Sequence, residues 1–442
     1  MMPPLLAAAG TILPSTWMVL PFVVLLLCIA IMPLLAHHFW EQHYPKFAIV
    51  LGLITTVYYL FVIKEGVPVL HAVDEYISFI SLIGSLYVIS GGINIRVRGE
   101  ATPLVNSLFL LIGAVLANII GTTGASMLLI RPWIRMNKVR ITGFHVVFFI
   151  FIVSNAGGCL TPIGDPPLFL GFLRGVPFWW IMGQAWPAWL FVVGLLLAVF
   201  YFTDRKNFLR APADVRAMEE EPETWTFRGL GNVLLLLVVL VAVFFPPSWK
   251  LGTETFAVPV SALVMLAAAL ASWKATPQPI HEANDFNFEP LREVAWLFIG
   301  IFLTMIPALQ LLAHGDLIKL STPLQYYFAC GTLSGFLDNA PTYLTFLASE
   351  MGSHHLDIGN RADVLQFVEK DAPFLLAVSL GSVFFGALTY LGNGPNFMVK
   401  AICTKAGVRT PGFLDYLLRY SVPFLVPILV LAGCFMIWWV RS

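Results

Sequence analysis

About ten apolar runs, each near the ~20 residues that a helix needs to cross a bilayer, dominate this chain. They lie at roughly 15–36, 46–63, 75–95, 144–172, 178–203, 228–246, 254–273, 291–313, 372–404 and 419–440. In hydrocarbon every backbone amide must be satisfied within the protein, so continuous runs of this kind fold as helices. Of 442 residues 58% are hydrophobic and only 11% charged, against roughly 25% charged in a soluble domain. The fold class is an all-α polytopic membrane protein, with the lipid bilayer as its surroundings. Net charge is zero and no basic tract occurs, which argues against nucleic acid as a partner. Cys28, Cys159, Cys330, Cys403 and Cys434 are scattered through apolar surroundings without metal-ligand spacing and read as core packing. No basic segment precedes the first run, so 15–36 is expected to be a retained helix and not a cleaved signal.

Two of these runs are interrupted in a way that a plain membrane anchor has no use for. Residues 154–167 read S-N-A-G-G-C-L-T-P-I-G-D-P-P inside apolar sequence. Gly157, Gly158, Gly164, Pro162, Pro166 and Pro167 cannot continue a helix there. Unwound backbone at this depth survives only where protein or a water-filled cavity satisfies it. The run 372–404 is interrupted similarly at G-A-L-T-Y-L-G-N-G-P, residues 386–395. Two further apolar stretches, 103–131 and 322–350, carry polar centres with Gly or Pro and are bracketed by Arg131-Pro132 and by Ser321-Thr322-Pro323. Each is expected to be a re-entrant hairpin of two half-helices. Lysine and arginine then gather on one side of the membrane only if both stretches return to the side they entered from. This puts the basic loops in the cytoplasm and both termini outside, periplasmic for a multi-pass protein of a cell's inner membrane.

The chain also repeats. The segment 158–167 matches 386–395 at Gly, Leu, Thr, Gly and Pro, and the hairpin centre A-N-I-I-G-T-T (117–123) pairs with D-N-A-P-T-Y-L (338–344). Glu75 opens the third run, and Glu293 lies near the start of the eighth. The expected organisation is a first repeat over 1–203, a cytoplasmic linker over 204–227 and a second, inverted repeat over 228–442, each with about five spanning helices, a hairpin and a broken helix. Inverted repeats with broken helices and a midplane site are the signature of secondary transporters.

The polar residues of the four interruptions are the candidate site. The first hairpin offers Asn118, Thr122 and Thr123, and the first break Ser154, Asn155, Thr161 and Asp165. The second hairpin offers Asp338, Asn339 and Thr342, and the second break Thr389, Asn393 and Asn396. Carboxylate, amide and hydroxyl oxygens with freed carbonyls suit a hard cation such as sodium. Single Asn, Ser and Thr residues in membrane helices often serve only to bond a neighbour. Asp165 and Asp338 stand apart, because a charge at membrane depth costs about 2.5–3.5 kcal/mol on insertion scales. Glu75 and Glu293 either complement a helix dipole or relay protons. Lys400 is expected to snorkel to the interface, and His145 to be interfacial.

These residues resemble the ion-transporter superfamily that includes NhaD-type sodium/proton antiporters, arsenite-pump membrane subunits and the citrate and dicarboxylate carriers. The specific resemblance is to the NhaD type, through S-N-A-G-G-C-L-T-P-I-G-D (154–165) and D-N-A-P-T (338–342). It covers most of the chain from about Glu75 onward. It implies hairpins entering from opposite sides, a scaffold with a transport domain, a homodimer and elevator-like motion. It also implies that Asn155, Asp165, Asp338 and Asn339 contribute to cation and proton binding. Antiporters of this type usually carry an acid before the first hairpin asparagine, where this chain has Ala117. The chain is similar, too, to sequences labelled as citrate transporters.

The sequence therefore leads to a secondary active transporter that exchanges sodium or lithium for protons, the cargo binding at the residues named and no further cofactor being needed. The alternative is sodium-coupled transport of citrate or a dicarboxylate. No histidine falls in the four centres to serve a nucleophile, so an enzyme is not expected.

Overall fold

The computed structural model describes residues 13–97, 101–210, 225–246, 248–252, 257–313 and 320–441. It is an all-α polytopic membrane protein, and its few strands are two short antiparallel pairs. Among the described residues, 8 helices are long and apolar enough to cross a membrane. The difference from the ten expected runs has local causes. The runs at 228–246 and 254–273 yield only the shorter helices Gly231–Val243 and Val260–Ala275, and the run at 372–404 divides into Ala372–Phe385 and Gly394–Lys405. The hairpin stretch Pro103–Met136 in turn counts among the eight by length.

Helices α1 (Leu20–Leu35) and α2 (His37–Val57, extended by π-helical turns over Tyr58–Ile63) come first, followed by α3 (Val67–Gly91). Helix α3 starts two turns earlier than its apolar run, because Pro68 occupies the first turn, where its missing N–H costs nothing. Glu75 therefore lies inside α3 and not at its start.

Helix α4 (Pro103–Met136) contains one non-helical residue, Gly121, at φ 75° and ψ 156°, a conformation that glycine adopts without steric cost. The chain reverses there. The rings of Phe109 and Trp133 stack with centroids 5.5 Å apart, whereas an unbroken helix would hold these positions about 36 Å apart. Asn106 and Asn137 exchange side-chain hydrogen bonds of 2.8 and 3.1 Å at the open end of the same hairpin. The second hairpin is built from Pro323–Ser334 and Asn339–Ser353, and Tyr326 meets Phe346 across it at 6.2 Å. A capping box of Thr322 and Gln325 starts its first arm. Both expected hairpins fold back.

Helix α5 (Gly143–Ile152) is the core element: every residue from Phe144 to Ile152 is buried, as expected for a helix that is apolar on all sides. Its phenylalanines pack on the long helix α7 (Trp180–Arg210), with Phe144 stacked on Phe200 at 5.5 Å. In sequence α6 (Pro166–Arg174) lies between them, and it packs on the second hairpin arm Asn339–Ser353. Large apolar side chains stay exposed on the outer helices, among them Val23, Leu27, Leu234 and Leu266, as a lipid-facing surface requires. The linker expected at 204–227 begins within α7, and its last residues pair as a strand, Trp225–Arg228, with Asn94–Val97; residues 211–224 lie outside the described residues.

Candidate substrate site between two helix breaks and two hairpin tips

The first break consists of a 3-10 stretch, Ala156–Leu160, and the turns that precede α6. Asp165 is the N-cap of α6, with extended φ −141° and ψ 144°, and Asn393 is the N-cap of Gly394–Lys405, at φ −155° and ψ 139°. Neither side chain caps its own helix, so both turn to other partners. Asp338 behaves differently: it caps Asn339–Ser353 by accepting from Ala340 N at 3.0 Å.

Asp165 is the centre. It is 1% exposed. Its Oδ1 accepts from Thr122 Oγ1 at 2.8 Å and from Asn393 Nδ2 at 2.8 Å, and its Oδ2 accepts from Asn339 Nδ2 at 2.7 Å. One carboxylate thus ties the first break to both hairpins and to the second break. Asn393 Nδ2 is shared with Asn155 Oδ1 at 3.1 Å, and Asn155 donates to Asn396 Oδ1 at 2.7 Å. Asn339 Oδ1 is buried and has no partner. An orphaned amide oxygen next to a carboxylate is what a desolvated cation would satisfy.

Other expected site residues hold backbone instead. Asn118 donates to Gly157 O at 2.6 Å and accepts from Leu160 N at 2.8 Å. Thr161 and Thr389 donate to Asn118 O and Gly335 O, each at 2.6 Å. Thr342 bonds Asp338 O at 2.8 Å, and Ser154 Oγ pairs with Ser126 Oγ at 2.7 Å. The bonds of Asn118, Thr161 and Thr389 satisfy backbone carbonyls and one amide that membrane depth would otherwise leave unpaired, whereas Ser154 bonds a side chain.

The same bonds correct the pairing of the repeats. Thr122 N donates to Gly164 O at 2.7 Å, and Asn339 N donates to Gly392 O at 3.2 Å. Gly164 and Gly392 correspond, so Thr122 is the counterpart of Asn339 and Gly121 that of Asp338. The sequence pairing of 117–123 with 338–344 is displaced by one helical turn. The residue facing the role of Asp338 is Gly121, not Ala117.

A cavity of about 150 Å³ adjoins the centre, lined by Thr123, Asp338, Asn339, Asn393, Glu41 and Glu293 among apolar residues such as Phe79 and Phe298. Among the described residues its lining contains carboxylates and no lysine or arginine. The N-termini of Pro166–Arg174, Asn339–Ser353 and Gly394–Lys405 begin at Asp165, Asp338 and Asn393, so three dipole ends of positive sign meet this acidic lining.

A family model described as "Putative citrate transport" matches residues 11–438. The chain belongs to this family of membrane transporters. Its relatives include a 46 kDa membrane protein of Mycobacterium leprae, 24% identical over 364 residues that cover 78% of this chain and 79% of the relative. Uncharacterized transporters of Mycobacterium bovis and Mycobacterium tuberculosis are each 24% identical over 333 residues, covering 70% of this chain and 72% of theirs.

In this member of the CitMHS family the two glutamates part company. Glu293 lines the central cavity, whereas Glu75 is bound by Arg174 Nη2 at 2.8 Å and is not among the cavity residues. Glu41, in the first turns of α2, lines the cavity as well; in the sequence it precedes its apolar run and reads as a loop residue. Lys400 Nζ sits 4.5 Å from the centroid of the Tyr390 ring.

His145 is buried within the protein. Its Nε2 lies 3.1 Å from Asp204 Oδ1. Arg140 pairs with the same carboxylate, and Asn106 Nδ2 bonds its Oδ2 at 3.1 Å. This group fastens the open end of the first hairpin to α5 and α7. The signal for it was Asp204 on the periodic continuation of an apolar helix.

Proposed function

We propose that this member of the family is a secondary active transporter whose cargo is a small monovalent cation, sodium or lithium, exchanged for protons. The observation that carries this reading is the Asp165 carboxylate: fully buried, bonded by three neutral donors and adjoined by a cavity lined, among the described residues, by Glu41, Glu293 and Asp338 but no lysine or arginine. Cation and proton compete for Asp165, and Asn339 Oδ1 and Asn393 complete the oxygen and amide surroundings. Asp338 and Glu293 take protons or cations in transit through the cavity. No enzymatic role is part of this reading. The inverted halves 1–203 and 228–442, elevator-like alternation, a homodimer, an inner-membrane location with periplasmic termini and closeness to NhaD-type antiporters belong to the same proposal.

A second reading, cation-coupled transport of citrate or a dicarboxylate, is favoured by the family description and by the helix N-termini at the centre, which attract anions. Proteoliposomes with an inward-acid pH gradient and a pH-sensitive dye separate the two. Dequenching on addition of sodium or lithium, without citrate, supports exchange. A citrate response that requires sodium supports the second reading.

A further inference from the structure

Beside the central cavity lies a chamber of different character. It measures about 470 Å³ and is lined by Arg131, Arg135 and Lys405, opposed by Asp285 and Glu289. Pro290 and Met398 line both spaces, so the two are neighbours through a shared wall. Arg131 Nε is buried and meets no acceptor; Arg135 Nη2 donates to Ala283 O at 3.2 Å. A buried donor left unpaired is destabilising, and a guanidinium is shaped to meet a carboxylate with parallel bonds. The outer volume falls within the roughly 300–1,000 Å³ of small-molecule sites, and the inner one is below it. The charged lining differs as well: three basic and two acidic residues outside, against Glu41, Glu293 and Asp338 inside.

We propose that the outer chamber is a binding site for a small polycarboxylate anion, held by Arg131, Arg135 and Lys405 and separate from the cation site at Asp165. The inference rests on the carboxylate reading for the identity of the anion and on the chamber itself for the site. The carboxylates of the inner lining oppose such an anion even where helix N-termini would attract it, so a second compartment lets an acidic centre and a carboxylate ligand coexist in one molecule. An anion held there neutralises the basic residues of its own chamber, so that they no longer oppose cation entry across the shared wall.

The test is a calorimetric titration of citrate into the purified protein in sodium-free buffer. Lys405 is exposed, so Lys405→Gln keeps the fold, and Arg131→Gln is compared with it after each elutes as a single species. The expected result is saturable citrate binding that weakens at least about 10-fold in either variant, as for the loss of one charge-assisted bond. Citrate affinity in either variant equal to that of the unaltered protein, or no citrate binding by the unaltered protein, overturns the site. The sodium-driven dye response of the same preparations, measured without citrate, judges the cation reading separately.

Discussion

Asn339 Nδ2 donates to Asp165 Oδ2 at 2.7 Å across 174 positions of the chain, joining the tip of the second hairpin to the break of the first half. The bond is one of three that hold a buried carboxylate in place, and it leaves Asn339 Oδ1 without a partner. A hydrogen bond to a charged group contributes about 1.5–3 kcal/mol. Asn339→Ala should therefore weaken the apparent sodium affinity by about 10- to 100-fold while the protein remains folded. Dye dequenching against sodium concentration measures it.

Glu293 and Glu75 are expected to respond differently. Glu293 lines the central cavity, so Glu293→Gln should lower the exchange rate several-fold. Glu75 is held by Arg174, so Glu75→Gln should leave the coupling ratio of cation to proton unchanged. Equal losses of coupling in both variants would restore Glu75 to the proton path.

The hairpin at Gly121 predicts which side its ends face. In a cysteine-free background, single cysteines at Ser107 and at Arg135 should react with an impermeant maleimide from the same side of sealed vesicles. Labelling from opposite sides would mean that α4 crosses the membrane.

The clasp at Asp204 concerns stability and not transport chemistry. Breaking a buried ion pair by removing one partner costs about 3–5 kcal/mol. Asp204→Asn should lower the thermal unfolding midpoint of the detergent-solubilised protein markedly, with Arg140→Gln close behind. A midpoint unchanged in both would leave the pair without structural weight.

How much of this was legible in the sequence depended on how local the signal was. The break at 154–165 could be read because glycine and proline cannot propagate a helix, whatever packs around them. The hairpins could be read from length, polar centres and charge bias together. The pairing of the hairpin tips could not, since matching Asn118 to Asn339 by side chain ignored which backbone amide meets Gly164 and Gly392. Asn118, Thr161 and Thr389 looked like ligands because an oxygen that holds a carbonyl or amide and one that holds an ion have the same residue type. Glu41 and Asp204 were missed for a different reason: helices α2 and α7 extend past their apolar runs, and only tertiary packing carries those polar turns into the interior.

The most direct test of the central claim is sodium/proton exchange by Asp165→Asn in proteoliposomes, beside the unaltered protein at equal incorporation. The substitution keeps the size of the side chain and removes its charge. Dequenching by sodium and lithium should be abolished while the protein still elutes as a folded species. Full exchange by this variant would contradict the account, because the carboxylate on which cation and proton compete would then not be Asp165.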